Sequence, residues 1–217
     1  MSDANKVSIK AFALDILPVT NAEFLEFIRA HPRRQRTQVK RLFADENYLR
    51  NWAGDLELGD TATNTPGTHV SWFAAKAFAA WQGKRLPTTA EWELAAAASP
   101  TRPDGENDAG FKKQIAAWHS SPSPERWPPV GVGQANFFGI RDLHGLVWEW
   151  VADFNTAMVT GDARGDSGLE RLLFCGSGSQ GARDPTNYAA FLRFGFRSSL
   201  KASYTVPNLG FRCAKDL

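Results

Sequence analysis

Residues 142–154 read DLHGLVWEWVADF and combine two tryptophans with three carboxylates. Tryptophan is a side chain that a core buries, whereas a carboxylate is rarely buried without a partner. A segment that only filled a core would not need Asp142 and Glu149. A surface loop would not need Trp148 and Trp150. The mixture indicates a loop that is anchored in the core and holds oxygen donors in fixed positions.

The composition of the chain is that of an ordinary globular protein, with 217 residues, 43% hydrophobic residues and a formal net charge of +2. Such a small charge excludes a strong attraction to nucleic acid or to a membrane surface. The basic run from Arg29 to Arg41 is typical of a solvated face. No apolar stretch approaches the length of a membrane span. The expected partner is a protein or peptide, and the expected oligomeric state is a monomer or weak dimer.

The aromatic content is high, with eight tryptophans and fifteen phenylalanines beside eighteen glycines and twelve prolines. Large aromatic side chains each bury a large area and can stabilise a fold that has little regular structure. No internal repeat and no linker divides the sequence. The chain is therefore expected to form one loop-rich α+β domain over residues 1–217.

Three segments carry the signals of a helix. Thr20 and Glu23 form a capping box, and the helix that they begin is expected to end near Pro32. The other two helices are predicted to begin after Ser71 and after Thr88. Residues 99–136 are rich in Pro, Ser, Gly and charged residues, which predicts a long irregular segment. Strands are predicted in KVSIKAFALDILPVT (6–20), RLLFCGS (171–177) and LGFRCAK (209–215).

Five motifs in a fixed order resemble the formylglycine-generating enzyme family, also called the sulfatase-modifying factors. They are PVTNAEF (18–24), VSW (70–72), GKRLPTTAEWE (83–93), FFGIRDLHGLVWEWVADF (137–154) and NLGFRCA (208–214). The resemblance implies an irregular, C-type-lectin-like α+β fold. The stretches FADENYLRNWAGDLELG (43–59) and CGSGSQGARDPTNYAAFLRFGFRSSL (175–200) look like the bacterial branch that includes the nitrite-reductase accessory proteins called NirV, whose members often accompany copper proteins. Within GKRLPTTAEWE, Arg85 is expected to pair with a nearby carboxylate.

The opening stretch is a candidate calcium site. Calcium takes roughly six to eight oxygen ligands, including carboxylates and backbone carbonyls. The resemblance implies calcium at this motif, and the matching donors are Asp142, the carbonyl oxygens of Gly145 and Val147, and Glu149. Gly145 would permit the tight turn, and His144 is expected to point outward. The alternative is that both carboxylates accept hydrogen bonds from loop amides.

The cysteines required for formylglycine generation are missing. The resemblance implies Cu(I) held by two thiolates, which are the soft ligands that Cu(I) prefers. In the family both cysteines lie in the interval that corresponds to residues 176–198 here, and this interval contains no cysteine. We therefore expect no formylglycine-generating oxidase activity. Another enzymatic activity stays open.

Cys175 and Cys213 lie elsewhere, on two predicted strands that could be neighbours. Three interpretations stay open: two buried free thiols, a disulfide, or a two-thiolate site for Cu(I) or zinc. The four histidines lack the spacing of an iron site. Calcium and copper are therefore the candidate cofactors.

A ligand surface is expected in the late loops, because the resemblance places the active cleft there. Exposed aromatic side chains beside arginines suit a peptide or a small anion. The candidates are Trp118, Trp127, Arg183, Asp184, Asn187, Tyr188, Arg193 and Arg197. The alternative is that Tyr188, Phe191 and Phe194 are core residues.

Two functions follow from these expectations. The first is a non-catalytic accessory, maturation or binding factor, linked to copper proteins such as nitrite reductase. The second is a metal-dependent oxidoreductase, with copper or non-haem iron, or a peptide-modifying enzyme. The protein would be periplasmic if a signal peptide was removed before the start MSDANK, and cytoplasmic otherwise.

Overall fold

The computed structural model describes residues 8–105, 107–154, 192–193 and 195–217. Helices and short strands in it are joined by long loops, which confirms the predicted loop-rich α+β class. The elements in chain order are β1 (Phe12–Leu14), α1 (Asn21–Ala30), a 3₁₀ turn (Pro32–Arg34), α2 (Trp72–Trp81), α3 (Thr89–Ala96), α4 (Ala109–Ser120), β2 (Trp148–Glu149), β3 (Leu209–Gly210) and β4 (Ala214–Asp216).

The three predicted helices begin at the predicted caps. The side chain of Thr20 accepts a hydrogen bond from the Glu23 amide, and the Glu23 carboxylate accepts one from the Thr20 amide. Thr88 and Glu91 form the same reciprocal pair at the start of α3. The side chain of Ser71 accepts a hydrogen bond from the amide of Ala74, the third residue of α2. Each cap satisfies amides that a helix leaves without partners.

The predicted irregular segment 99–136 is wrong over α4, which spans Ala109–Ser120. The Asp108 side chain caps this helix by accepting from the Phe111 amide, and Phe111 and Ile115 are buried on one face. The residues that favour a helix cover only a short part of the segment 99–136. The Pro, Ser and Gly residues on both sides of them dominate the composition of the whole segment.

Two small sheets bring the end of the chain to two distant segments. β1 pairs antiparallel with β4, so that Leu14 faces Ala214. β2 pairs parallel with β3, so that Glu149 faces Gly210. The predicted strand 209–215 is therefore divided between two sheets. Arg212 lies between them and is carried into the core beside Glu149. The predicted strand 171–177 lies outside the described residues.

Tryptophan side chains connect loops that are far apart in sequence. Trp72 Nε1 donates to the Val151 carbonyl oxygen at 3.0 Å, and Trp150 Nε1 donates to the Val70 carbonyl oxygen at 2.8 Å. Trp150 itself is completely buried. A buried indole needs an acceptor for its N–H, so each of these side chains both fills the core and fixes a loop.

Arg85 has the carboxylate partner that the sequence predicted. Its guanidinium donates two hydrogen bonds of 2.7 Å to the two oxygens of Glu91 and a third to Asp216 in β4. The motif therefore joins the start of α3 to the C-terminal strand. No helix among the described residues is long and apolar enough to cross a membrane.

Candidate ligand-binding site

The loop at residues 142–149 turns sharply at two positions. Gly145 has φ +95°, a conformation that glycine adopts without strain, as the sequence predicted. Asp142 has φ +60°, which is uncommon for a residue with a side chain. The turn buries Leu146 and Val147 in the protein interior. The loop is therefore fixed by packing on both sides of Gly145.

Asp142 accepts hydrogen bonds from two backbone amides of a neighbouring loop. One oxygen accepts from the Gly131 amide and the other from the Gly133 amide, at 3.1 Å. A Cβ atom at position 133 would lie 2.6 Å from the Asp142 oxygen, so this approach requires glycine. The contacts are those of a carboxylate that organises a loop.

Glu149 is held in the core by Arg212 and Trp92. Its Oε1 accepts from Arg212 Nε at 3.0 Å and from Nη2 at 2.8 Å. Its Oε2 accepts from Arg212 Nε at 2.8 Å and from Trp92 Nε1 at 2.6 Å. Both side chains of the ion pair are completely buried. The buried charges are therefore paired and hydrogen-bonded, as low-dielectric surroundings require.

The remaining N–H groups of Arg212 also have acceptors. Nη1 donates to the carbonyl oxygens of Asp15 and Ile16, and Nη2 donates to the Arg141 carbonyl oxygen, all at 2.9–3.1 Å. One guanidinium thus connects three segments of the chain. Sequence reasoning matched Arg212 as part of NLGFRCA but did not assign it a role.

The calcium site at Asp142, Gly145, Val147 and Glu149 stays a prediction. Glu149 already accepts from three N–H groups, two of Arg212 and one of Trp92. A calcium ion at Glu149 would compete with these donors for the carboxylate oxygens. Among the described residues, no group of three or more His, Cys, Asp or Glu side chains is placed to hold a metal ion. Asp142 has the contacts of the alternative, because it accepts from loop amides, whereas Glu149 accepts from the Arg212 and Trp92 side chains.

A cavity of about 250 Å³ lies beside the Gly145 turn and is here called the tryptophan cavity. Its walls include the predicted ligand residues Trp118 and Trp127, together with Trp148, His119 and Asn208. The rings of Trp118 and Trp148 lie 5.4 Å apart between centroids. The structure therefore brings two predicted ligand residues together. It adds three that the sequence analysis did not assign to a ligand site.

A second cavity of about 450 Å³ adjoins the first. Ser123, Pro124 and Trp127 line both. Trp127 is fixed between them because its Nε1 donates to the Pro207 carbonyl oxygen at 3.0 Å. The two cavities together provide room for an extended ligand, with the indole of Trp127 between its two halves.

Arg193 and Arg197 are buried, and their assignment as ligand residues stays a prediction. Their exposed fractions are 5% and 3%, and both guanidiniums bond to the Glu93 carboxylate. Each also lies over the Trp92 ring, at 5.3 and 4.8 Å from its centroid. Burial acts to raise the pKa of Glu93, but the two guanidiniums outweigh it and lower that pKa. The other predicted ligand residues, Arg183, Asp184, Asn187 and Tyr188, lie outside the described residues.

His144 points inward, contrary to the expectation. Its Nε2 donates to the Ala96 carbonyl oxygen at 2.8 Å, and its ring packs against Phe111 and Trp118. Burial, assisted by the Arg193 charge, lowers the pKa of His144 to about 4. The side chain is therefore neutral at pH 7, and the loop contributes a packed imidazole to the space behind the tryptophan cavity.

The neutral state of His144 predicts an acid-sensitive stability. The unfolded chain binds a proton at this side chain below about pH 6.5, whereas the folded chain binds it only near pH 4. The stabilisation is complete above pH 6.5 and is lost as the pH falls to 4, by about 2–3 kcal/mol. Denaturant unfolding measured from pH 7.5 to 4 should show this loss, and His144→Gln should reduce it. If the free energy of unfolding falls equally with pH in both proteins, the loss cannot be assigned to His144.

Cys213 is completely buried, and it forms no disulfide with any residue that the structure describes. Burial raises its pKa to about 12, so the sulfur is not a thiolate at neutral pH. This agrees with the first of the three interpretations for this residue. Cys175 lies outside the described residues, so the disulfide and two-thiolate interpretations stay predictions.

These features define an α+β domain with a tryptophan-lined cavity beside a buried ion pair. The chain belongs to the sulfatase-modifying factor family, because the model of the sulfatase-modifying factor enzyme 1-like domain matches residues 2–217. It is 31% identical to the inactive C-alpha-formylglycine-generating enzyme 2 of Bos taurus, over 96% of this chain and 78% of that protein.

Other relatives carry different names. The formylglycine-generating enzyme of Streptomyces coelicolor is 33% identical over 70% of this chain and 53% of its own length. The hercynine oxygenase of Mycolicibacterium smegmatis is 32% identical over 69% of this chain and 39% of its own length. The solved structure of PvdO from Pseudomonas aeruginosa matches with a TM-score of 0.52 and 22% identity, over 95% of this chain and 80% of that chain. That match supports the fold.

Proposed function

We propose that this protein does not generate formylglycine and instead binds a peptide segment of a partner protein in the tryptophan cavity. The observation that carries the proposal is the combination of Trp118, Trp127 and Trp148 around one cavity with an interval, residues 176–198, that has no cysteine. The cavity provides a binding surface, while the soft ligands that Cu(I) chemistry requires are missing from that interval.

The walls of the cavity suit a peptide. Indole rings offer large, rigid apolar contact area at a low cost in conformational entropy. Asn208 and the backbone around Gly145 add polar groups that can fix the orientation of a bound chain. The adjoining cavity beyond Trp127 extends the surface in one direction. Together they fit several residues of an extended chain.

More specifically, we propose that the protein is an accessory or maturation factor for a copper protein such as nitrite reductase. This proposal rests on the resemblance of residues 43–59 and 175–200 to the NirV-like branch. The name of the Bos taurus relative, an inactive enzyme, agrees with a non-catalytic role. The hercynine oxygenase relative keeps a metal-dependent oxidoreductase as the second candidate. Stoichiometric copper or iron in the purified protein would support that second candidate.

The absence of oxidase activity is directly testable. Protein incubated with Cu(I), oxygen and a peptide that carries the Cys-x-Pro-x-Arg motif should form no aldehyde above the no-enzyme control. Mass spectrometry of the peptide provides the measurement, and an active formylglycine-generating enzyme provides the positive control. Conversion of the peptide by the purified protein would overturn the proposal.

Binding is tested in the same preparation. Calorimetry against a library of short peptides should yield binders whose affinity falls at least about tenfold in Trp118→Ala, because an indole in a closed contact contributes more than 1 kcal/mol. Trp81→Ala is the matched control, since Trp81 is an exposed tryptophan on α2 that lies outside both cavities. Equal losses in the two variants would exclude the tryptophan cavity as the binding site.

A further inference from the structure

The basic run from Arg29 to Arg41 folds as a series of tight turns beside the start of α2. It contains five arginines and one lysine, and it contains no Asp or Glu. Backbone hydrogen bonds close successive turns, the last of them from the Phe43 amide to the Lys40 carbonyl oxygen at 2.8 Å. Arg34 joins the run to α2, because its Nη1 donates to the Phe73 carbonyl oxygen at 3.4 Å. An ordered backbone therefore holds these cations at one place on the protein.

Three cations of the run have no partner among the described residues. Arg29 pairs with Glu26, and Arg36 donates to two backbone carbonyl oxygens. Asp55 contacts the run as well, but it accepts from the amide and hydroxyl of Thr37. The cations that lack a hydrogen bond or ion pair within the described part of the chain are all exposed, and they are Arg33, Lys40, Arg41 and, on α2, Lys76. These four charges are free to pair with another molecule.

Apolar side chains lie exposed beside these cations. Leu42 is 74% exposed and Phe43 is 38% exposed, although both side chains are large. The Phe43 ring packs edge to face against Phe73, with 5.3 Å between centroids, and Phe73 packs in the same way against Trp72 at 5.5 Å. The Nζ atom of Lys76 lies over the Trp72 ring, 4.8 Å from its centroid. The rings thus form a row that has cations at both ends.

This combination is here called the basic aromatic surface, and its residues are Arg33, Lys40, Arg41, Leu42, Phe43, Phe73 and Lys76. An exposed apolar patch with a polar rim is typical of a protein–protein interface, in which Phe and Arg are enriched. Cations on the rim favour a partner that carries carboxylates, because opposite charges guide the encounter and fix the orientation. The charges and the rings together indicate an acidic segment with an aromatic side chain.

The geometry of the rings favours a protein over a single-stranded nucleic acid. Successive bases stack on the open faces of aromatic side chains that follow a basic groove. In the row the interplanar angles are 85° and 77°, so that neighbouring rings meet edge to face and do not offer parallel faces. One face of Trp72 is also covered by Lys76. A partner that presents one aromatic side chain between carboxylates suits this arrangement better than a run of bases.

We propose that the basic aromatic surface binds an acidic segment of a partner protein, in which an aromatic side chain packs on Leu42 and Phe43 while carboxylates on either side pair with the cations at the two ends of the row. None of the residues of this surface lines the tryptophan cavity or the cavity that adjoins it. The inference therefore goes beyond the proposed peptide-binding function and does not depend on it.

Three matched peptides test the proposal with the full chain. They are acetyl-Asp-Glu-Phe-Glu-Asp-amide, its neutral form acetyl-Asn-Gln-Phe-Gln-Asn-amide, and acetyl-Asp-Glu-Ala-Glu-Asp-amide, which lacks the ring. We expect the first to bind at least about tenfold more tightly than either of the others, because ion pairs and ring packing both contribute. Added salt should weaken its binding, since exposed charges are screened. An NMR titration measures the affinity, and the largest shifts should fall on residues 33–43 and 72–76.

Variants of exposed residues separate the charges from the apolar contact without disturbing the fold. Lys40→Gln/Arg41→Gln should remove most of the preference for the acidic peptide over the neutral one. Lys10→Gln/Lys113→Gln is the matched control, because it removes two exposed cations outside the basic aromatic surface and should retain that preference. Leu42→Ser should reduce the preference for the peptide with the ring over the peptide with alanine.

The outcomes distinguish this surface from the tryptophan cavity. Binding of the acidic peptide should be unchanged in Trp118→Ala, and a loss there would overturn the proposed surface. Equal affinities of the acidic and neutral peptides, or equal losses in the two charge variants, would also overturn it. Tighter binding of a short oligothymidylate than of the acidic peptide, lost in Lys40→Gln/Arg41→Gln, would replace the protein partner by a nucleic acid. None of these results bears on peptide binding in the tryptophan cavity.

Discussion

Replacement of Arg212 by methionine is expected to lower the free energy of unfolding by about 3–5 kcal/mol. Arg212 and Glu149 form a completely buried ion pair, and the variant leaves the Glu149 carboxylate without its counter-charge. Three backbone carbonyl oxygens each lose a hydrogen bond in the same change, although that of Ile16 keeps the Arg141 amide as a donor. An uncompensated charge in the core costs more than the loss of the packing contacts alone. Urea denaturation measures the effect, with an unchanged m-value showing that the folded state is intact.

A double-mutant cycle separates the pair from the packing around it. Glu149→Leu alone should also be strongly destabilising, because it leaves the Arg212 charge buried. The double variant Arg212→Met/Glu149→Leu should recover much of either loss, since an apolar pair of similar volume can replace a buried ion pair. Arg29→Met, which removes the exposed pair with Glu26, is the control and should cost less than about 1 kcal/mol. Strictly additive losses in the cycle would contradict a direct interaction.

The proposed calcium site makes a different prediction for the same residue. If Glu149 binds calcium, a chelator should lower the melting temperature of the native protein by several degrees and calcium should restore it. Magnesium should restore it poorly, because it demands compact octahedral geometry. Glu149→Gln should then remove the response to calcium. Coincident melting of the chelated and calcium-loaded proteins would overturn the calcium proposal and leave Arg212 as the partner of Glu149.

Glu93→Gln is expected to have the second large effect, a loss of about 3–5 kcal/mol. The substitution keeps the shape of the side chain but removes the charge of the one carboxylate that bonds to Arg193 and Arg197 among the described residues. Glu26→Gln, on the exposed face of α1, provides the matched control. A loss as small as that of the control would show that the two guanidiniums have other anionic partners.

The pH dependence of the free energy of unfolding provides a second test of Glu93→Gln. The two guanidiniums lower the pKa of Glu93 against the effect of burial. The carboxylate therefore contributes its stability above the pKa that it has in the unfolded chain, about 4.3. This contribution is lost as the pH falls through the lower pKa of the folded state. The stability difference between the native protein and Glu93→Gln should accordingly shrink in acid and be constant between pH 6 and 8.

The sequence predicted the helices whose capping residues lie within one turn of the helix start. Thr20 with Glu23, and Thr88 with Glu91, lie three residues apart, so one helical turn contains the whole signal. Helix α4 was missed although Asp108 caps it by accepting a hydrogen bond from the Phe111 amide. Its two buried residues, Phe111 and Ile115, are a weak pattern among prolines and glycines, and only contacts with the rest of the protein make the helix face evident.

The site shows the same division between local and distant information. The sequence by itself determined the family motifs, the glycine turn at position 145, the absence of cysteine from residues 176–198 and two of the three tryptophans that line the cavity. Only the tertiary structure decided which charges meet. Glu149 pairs with Arg212 across 63 residues, and Glu93 pairs with Arg193 across 100. The residue type alone does not show whether a carboxylate binds calcium, a loop amide or a guanidinium. Its partner is whichever group the folded chain carries to within hydrogen-bonding distance in a place from which water is excluded.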